Sequence, residues 1–131
     1  MFAKDVQCVN CGKVLPYQDD VQLCPQCGDE RGILDIIYDY AMIKKRWSKE
    51  TLTHTKTSSI LRYLPLLPIK GTYQDDALHV GMSPLYKSKT HSTLWIKDDA
   101  LNPSASLKDR ASLIATMHAK EQEHQNIPCS S

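Results

Sequence analysis

The chain has 131 residues, of which 41% are hydrophobic and 24% charged, with a formal net charge of +1. These values are typical of one globular domain, or of a small module joined to part of another, and the low net charge indicates no particular partner. No apolar run reaches the ~18 residues of a membrane span, and the amino terminus lacks the apolar segment of a secretory signal. We therefore expect a cytoplasmic protein without membrane contact, whose cysteines are reduced.

Four of the five cysteines form two C-x2-C pairs. The pairs, CVNC and CPQC, are separated by twelve residues. Two such pairs can place four thiolates tetrahedrally around one Zn²⁺ at about 2.3 Å each. Two disulfides or four unrelated thiols are the alternatives, which the compartment and the spacing disfavour. Because cysteine fills every ligand position, the expected metal is structural rather than catalytic. The predicted ligands of this zinc ribbon are Cys8, Cys11, Cys24 and Cys27.

The residues around the cysteine pairs carry further signals. A glycine follows each pair, at Gly12 and Gly28, where the backbone of a zinc knuckle favours positive φ. Residues 13–23 have short apolar pieces around a polar turn at residues 18–20, which predicts a small hairpin. The fifth cysteine, Cys129, is predicted to begin a buried strand and not to bind metal.

Zinc ribbons are common in nucleic-acid-binding proteins, so the charge of this one is informative. Residues 1–32 carry five acidic and three basic side chains, and basic residues concentrate only in residues 41–62. A surface that follows phosphates requires interleaved lysine, arginine and aromatic side chains. We therefore expect no nucleic-acid partner, and keep a non-catalytic binding or adaptor role as an alternative.

The segment after the ribbon mixes strand and helix signals, which predicts an α/β fold. Residues 32–40 (GILDIIYDY) and 92–99 (STLWIKDD) are predicted strands, and residues 41–47 (AMIKKRW) a short helix. Residues 49–59 are polar and are predicted to be a connection. The remaining segments are residues 60–69, whose prolines favour extended and helical-turn pieces, and residues 81–88 (GMSPLYKS), a turn that opens into an extended segment.

Residues 102–110 (NPSASLKDR) place a lysine at the start of a predicted helix. Ser106 is a favourable N-cap, and Asp109 completes the S-x-x-D pattern of a capping box. The helix is predicted from about residue 107 to about residue 123, and a strand is predicted to begin in residues 127–131. The helical spacing is that of Leu107, Ala111, Ile114 and His118. An isolated lysine here is most simply a solvated charge.

In the order of these motifs the chain resembles threonine synthase, which belongs to the fold type II family of pyridoxal-phosphate enzymes. The lysine loop of that family is close to NPTGSFKDRG, and this chain has NPSASLKDRA, preceded by YLPLLP, GMSPLYKS and LWIKDDALNP. An amino-terminal zinc ribbon also occurs in some threonine-synthase-like proteins. Ala105 and Ala111 replace family glycines, and Leu107 replaces the aromatic residue.

The resemblance implies a function and a set of site residues. Lys108 would bind pyridoxal phosphate covalently, and Ser106 would lie beside it at the cofactor. The complete protein, a homodimer, would convert O-phosphohomoserine and water to threonine and phosphate. A cysteine-synthase-like or dehydratase-like reaction on another amino acid is the alternative within the superfamily.

The resemblance also implies a domain organisation. Residues 1–40 would form the zinc-ribbon module, and residues 41–131 the first, incomplete part of the fold type II catalytic domain. Because the phosphate cup and the partner of the cofactor ring nitrogen would follow later in such a protein, this chain alone is expected to be inactive.

Overall fold

A computed structural model describes residues 1–18, 21–71 and 78–127. The chain divides into two compact units, Met1–Thr53 with Pro65–Pro68, and His54–Leu64 with the described residues from Ile69 onward. Both units mix strands and helices, so the predicted α/β class is confirmed. None of the helices in the described ranges is long and apolar enough to cross a membrane.

The first unit is built on a three-stranded antiparallel sheet. Its strands, in the order β2–β1–β3, are β1 (Ala3–Cys8), β2 (Val14–Pro16) and β3 (Leu34–Tyr38). Val6 of the central strand lies opposite Leu15 on one side and Ile36 on the other, and is 4% exposed. The strand predicted in residues 32–40 is thus confirmed, and the alternation of buried and exposed residues along β1 fixes its register.

The hairpin predicted within residues 13–23 is wrong. Its first half, β2, pairs instead with β1, which precedes the first cysteine pair. The turn of this hairpin is the first cysteine pair itself, and the Cys8 N–H donates to the Lys13 carbonyl at 2.9 Å. The described residues 21–23 form no strand, and residues 19–20 of the predicted turn lie outside the described residues.

Three short helices complete the first unit: α1 (Gly28–Arg31), α2 (Tyr40–Arg46) and α3 (Lys49–His54). The predicted helix over residues 41–47 is confirmed as α2, which Asp39 caps by accepting the Met42 N–H at 2.9 Å. The connection predicted over residues 49–59 is wrong in its first half, because α3 forms there. Ser48 Oγ accepts the Thr51 N–H at 3.3 Å and satisfies one free donor at the start of α3.

The second unit packs around four buried apolar residues, Leu61, Ile69, Val80 and Met117. Ile60–Leu66 is a 3-10 helix with a kink at Tyr63, as expected for a proline-containing apolar segment, and its residues up to Leu64 belong to this unit. The Ile60 N–H donates to the Val80 carbonyl at 2.8 Å and joins this helix to the segment before the next strand.

A two-stranded antiparallel sheet follows, made of β4 (Leu85–Lys87) and β5 (Trp95–Lys97). Both strands lie in predicted extended segments. All six strand residues are exposed, including Leu85 at 57%, Trp95 at 54% and Ile96 at 52%. We call this pair of strands the exposed hairpin. A two-stranded sheet with no covered face gains little from apolar burial.

Helix α4 (Asp109–Glu121) follows a 3-10 turn at Asp99–Leu101. It lies within the predicted range, and Met117 is its buried residue. The predicted capping box does not form, because the Asp109 carboxylate accepts the N–H and hydroxyl of Ser104 instead. Ile127 is exposed, and the rest of the strand predicted after α4, with Cys129, lies outside the described residues.

Candidate metal centre and lysine loop

The structure brings the four predicted cysteine ligands together. Cys8 ends β1, Cys11 lies in the turn after it, and the second pair precedes α1. The four sulfurs lie within 4.8 Å of one another, with Cys11 and Cys24 Sγ 3.7 Å apart. Tetrahedral coordination at about 2.3 Å would separate the sulfurs by about 3.8 Å. All four thiols are free, so the arrangement is compatible with a zinc ribbon.

Both glycines after the cysteine pairs have the predicted backbone conformation. Their φ angles are +72° at Gly12 and +63° at Gly28, and a Cβ at either position would meet nothing within 4 Å. The constraint is therefore conformational and not steric. Each glycine N–H donates back to the first cysteine of its pair, to the Cys8 and Cys24 carbonyls, at 2.9 Å.

Gly32 is a third important glycine, which the sequence analysis did not identify. It is buried, its N–H donates to the Gly28 carbonyl at 2.8 Å, and its carbonyl accepts the Cys24 N–H at 2.8 Å. A Cβ at Gly32 would lie 2.3 Å from the Gly28 carbonyl oxygen. The backbone of the second cysteine pair thus packs directly against Gly32, and this contact leaves no space for a side chain at position 32. The four-residue spacing between the two glycines, just before a strand, was the available signal.

The surroundings of Cys8 and Cys11 shift the pKa values of the two thiols in opposite directions. The backbone N–H of Cys11 is the main cause that lowers the pKa of Cys8 to about 7, against the opposing effect of burial. The backbone N–H of Lys13 favours the Cys11 thiolate too, but burial and the neighbouring thiols raise the pKa of Cys11 to about 11. Cys8 is thus the thiol that loses its proton more easily. The nearby sulfurs disfavour a second negative charge at Cys11, and a bound cation would offset that repulsion.

Four sulfur donors, two of them from fully buried residues, fit a zinc ion and leave no protein position for catalytic water. Cys8 is 1% exposed and Cys24 is 0% exposed. Backbone N–H groups point at the Cys8 and Cys11 sulfurs, as thiolate ligands require. The donor set therefore matches a structural metal rather than a catalytic one.

The lysine loop, residues 102–108, is held by the buried side chain of Asn102. Its Oδ1 accepts the Gly81 N–H at 3.0 Å, its Nδ2 donates to the Asp99 carbonyl at 2.9 Å, and its carbonyl accepts the Ala105 N–H at 2.8 Å. Ala105 has a φ of +57°, in the left-handed region that costs a non-glycine residue about 1–2 kcal/mol. The backbone of the loop is thus strained at Ala105, the position at which the fold type II family has glycine.

An ion pair ties the start of α4 to the segment before the loop. Arg110 Nη2 lies 2.6 Å from Asp99 Oδ1 and 3.0 Å from Ser83 Oγ, and the Ser83 hydroxyl donates to the same carboxylate oxygen at 2.6 Å. Arg110, followed by Ser83, lowers the pKa of Asp99 to about 2. The Lys97 amine donates to the Ser83 carbonyl. The sequence did not predict this network.

Lys108 occupies the N-cap position of α4, and its side chain is exposed. Its N–H donates to Ser106 Oγ at 3.2 Å, so the two predicted cofactor residues lie side by side. The start of a helix favours a negatively charged ligand group. A cavity of about 370 Å³ lies next to the loop, and Pro103, Ser104 and Asp109 line it together with residues of α4, but Lys108 does not. The described residues therefore form the lysine loop without enclosing its amine.

Comparison with known proteins confirms the predicted resemblance. The chain is 32% identical to threonine synthase of Methanocaldococcus jannaschii over 131 aligned residues. The aligned region covers 95% of this chain and 31% of the relative. It is 29% identical to threonine synthase of Methanosarcina acetivorans over 132 aligned residues, which cover 96% of this chain and 31% of that relative. The chain thus spans about a third of the length of these relatives. No family model matches the chain. No solved structure matches it either.

Proposed function

We propose that this chain is the lysine-bearing part of a threonine-synthase-like lyase of fold type II that depends on pyridoxal phosphate. The observation that carries the proposal is the lysine loop at the start of α4, in a chain 32% identical to a threonine synthase over nearly its whole length. In the complete protein the reaction is O-phosphohomoserine plus water to threonine plus phosphate. We also propose that the complete protein is a homodimer and lies in the cytoplasm.

The residues of this chain have separate roles in that reaction. Pyridoxal phosphate, when bound, supplies an electron sink for negative charge on neighbouring substrate carbons. The Lys108 amine holds the cofactor and, when released, moves protons between substrate carbons. Ser106 supports the cofactor next to Lys108. Asn102 fixes the loop, and Arg110 fixes the start of the helix from which Lys108 projects.

The first forty residues have a structural role in this proposal. Cys8, Cys11, Cys24 and Cys27 hold one Zn²⁺, and residues 1–40 form a ribbon module joined to residues 41–131 of the catalytic domain. The sulfur separations and the buried donors support this assignment. Because metal binding supplies most of the folding free energy of such small modules, the zinc stabilises and does not react.

The described residues alone do not supply a complete site. A phosphate group needs several oriented N–H donors, and the amine of Lys108 needs enclosure to react selectively. The exposed hairpin and Lys108 are both open to solvent, so the described residues leave the amine unenclosed. We therefore propose that the isolated chain forms no threonine.

A chimera tests the proposal most sharply. This chain replaces the matching third of the M. jannaschii threonine synthase, and phosphate release from O-phosphohomoserine is measured with pyridoxal phosphate present. We expect activity that Lys108→Ala abolishes and that the matched control Lys120→Ala, on the same helix, preserves. After borohydride reduction, the cofactor should be found on the peptide containing Lys108.

Other outcomes separate the alternatives. A folded, cofactor-loaded chimera that acts on O-acetylserine and not on O-phosphohomoserine would favour the cysteine-synthase-like reaction. Salt-sensitive nucleic-acid binding by the 131-residue chain, lost when Lys44, Lys45 and Arg46 are neutralised, would favour the non-catalytic role. Retention of activity by the Lys108→Ala chimera would contradict the proposal.

A further inference from the structure

The two cysteine pairs are alike in sequence but differ in one side-chain contact. Asn10 precedes the second cysteine of the first pair, and Gln26 holds the same place in the second pair. Asn10 Nδ2 donates to Cys27 Sγ at 3.2 Å, across the cluster. Gln26 is exposed, and no side-chain hydrogen bond joins it to another of the described residues. The contact is therefore a property of the first pair alone.

We infer that Asn10 is a positioning residue of the metal centre, whose side-chain amide holds the Cys27 sulfur in place. The inference rests on the zinc site proposed above and extends it beyond the four ligands. Asn10 and Cys27 are 17 residues apart in sequence, so their contact joins the first pair directly to the second.

The need for such a donor follows from how the other sulfurs are held. Cys8 accepts the backbone N–H groups of Cys11 and Asn10, and Cys11 accepts that of Lys13. Cys27 is partly exposed, whereas Cys8 and Cys24 are buried. A side-chain amide beside Cys27 thus supplies the hydrogen bond that backbone groups supply to the first two sulfurs. Donors to ligating atoms fix their orientation and strengthen binding.

The electrostatics also set which end of the amide faces the sulfur. A thiolate attracts the N–H₂ group and repels the carbonyl oxygen, so the metal-loaded state favours the observed orientation. Replacing asparagine by aspartate keeps the shape but places a carboxylate oxygen against the sulfur. The same change at Gln26, to glutamate, adds an equal charge to the other pair without meeting a sulfur.

The experiment measures zinc affinity of the 131-residue chain by competition with a chromophoric chelator. The variants are Asn10→Ala, Asn10→Asp and Asn10→Gln, with Gln26→Ala and Gln26→Glu as matched controls. We expect about tenfold weaker binding for Asn10→Ala, since a hydrogen bond to a charged group is lost. Asn10→Asp should be weaker still, Asn10→Gln should recover part of the loss, and the Gln26 variants should stay within about twofold of wild type.

A spectroscopic readout separates this role from a merely structural one. With Co²⁺ in the site, the sulfur-to-cobalt charge-transfer band should move to longer wavelength in Asn10→Ala, because the sulfur has lost a donor. Equal affinities and spectra for wild type and Asn10→Ala would overturn the inference, as would equal losses for Asn10→Asp and Gln26→Glu. If wild type binds no zinc, the metal centre itself is wrong. If wild type binds zinc and the Asn10 variants match it, the inference alone is wrong.

Discussion

The ribbon and the lysine loop differ in how much of each site lies within the described residues. The four cysteine sulfurs lie within 4.8 Å of one another, and backbone N–H groups donate to those of Cys8 and Cys11. Lys108 instead projects from the start of α4 with an exposed side chain. The two knuckles are separated by twelve residues, so the four cysteines close only short loops, at small entropic cost. A cofactor site requires groups brought from distant parts of a chain.

The surroundings of the two sites show the same contrast. Gly32 packs so closely against the second cysteine pair that it leaves no space for a methyl group. Near the lysine loop, the exposed hairpin presents Leu85, Trp95 and Ile96 to solvent. Exposed apolar patches of this kind mark surfaces that bind a ligand or another polypeptide surface. The cysteine cluster is thus closely packed, whereas the surroundings of Lys108 are open.

Loss of the metal should have the largest effect and should be confined to the first unit. Replacing Cys24 by serine removes a fully buried ligand. Structural zinc in such modules contributes about 10–16 kcal/mol of apparent binding free energy, so the ribbon should unfold. Hydrogen exchange should show loss of protection in β1 and β3 and unchanged protection in α4. Equal loss of protection in α4 would contradict an effect confined to the first unit.

A steric test comes next, within the ribbon. Gly32→Ala places a methyl group 2.3 Å from a backbone oxygen, and should destabilise the first unit by about 3 kcal/mol or more. Gly12→Ala is the matched control, because its Cβ meets nothing and the cost is that of positive φ alone, about 1 kcal/mol. Chemical denaturation of the zinc-loaded protein measures both, and similar losses would show that Gly32 is not closely packed.

The ion pair of the second unit should give it a pH dependence. The pKa of Asp99 is lowered to about 2, chiefly by Arg110, from about 3.9 in an unfolded chain. Because the folded pKa is the lower one, the stabilisation is present above pH ~4 and is lost as pH falls toward pH ~2. Asp99→Asn should therefore destabilise the unit at neutral pH and have little effect near pH ~2. A destabilisation that is the same at both pH values would contradict this cause.

The smallest expected effect is a gain of stability at the lysine loop. Ala105 has positive φ, and Ala105→Gly should relieve the strain and stabilise the second unit by about 0.5–1 kcal/mol after the greater freedom of unfolded glycine is included. Ala115→Gly, at an exposed position inside α4, should instead destabilise it by about 1 kcal/mol. Thermal unfolding of the two variants measures the opposite signs, and a destabilised Ala105→Gly would show that the loop is not strained.

Short-range patterns predicted β3, both strands of the exposed hairpin, α2 and α4, but not β1 or α1. The C-x2-C-G pairs indicated the cysteine cluster and the positive φ of Gly12 and Gly28, since both depend on neighbours in sequence. Strand β3 and helix α4 followed from residue type and periodicity. The hairpin was assigned to the wrong strands because pairing of β2 with β1 or with a later segment is not decided by local composition.

Contacts between distant residues were the part that the sequence could not provide. Asp109 was expected to cap α4 with Ser106, but Ser104 offers it two donors because of the turn at Ala105. Asp99 and Arg110 are eleven residues apart, and their contact depends on the path of the loop between them. Helix α3 was missed because its polar residues have no apolar period, and its cap at Ser48 is a weak signal.

Native mass spectrometry of the 131-residue chain, with zinc and pyridoxal phosphate present and borohydride added before peptide mapping, tests the contrast between the two sites directly. A complete ribbon and an incomplete cofactor site predict one zinc retained per chain, and cofactor spread over exposed lysines with no preference for Lys108. A chain that holds no zinc, or that carries a single cofactor fixed selectively at Lys108, would contradict the account.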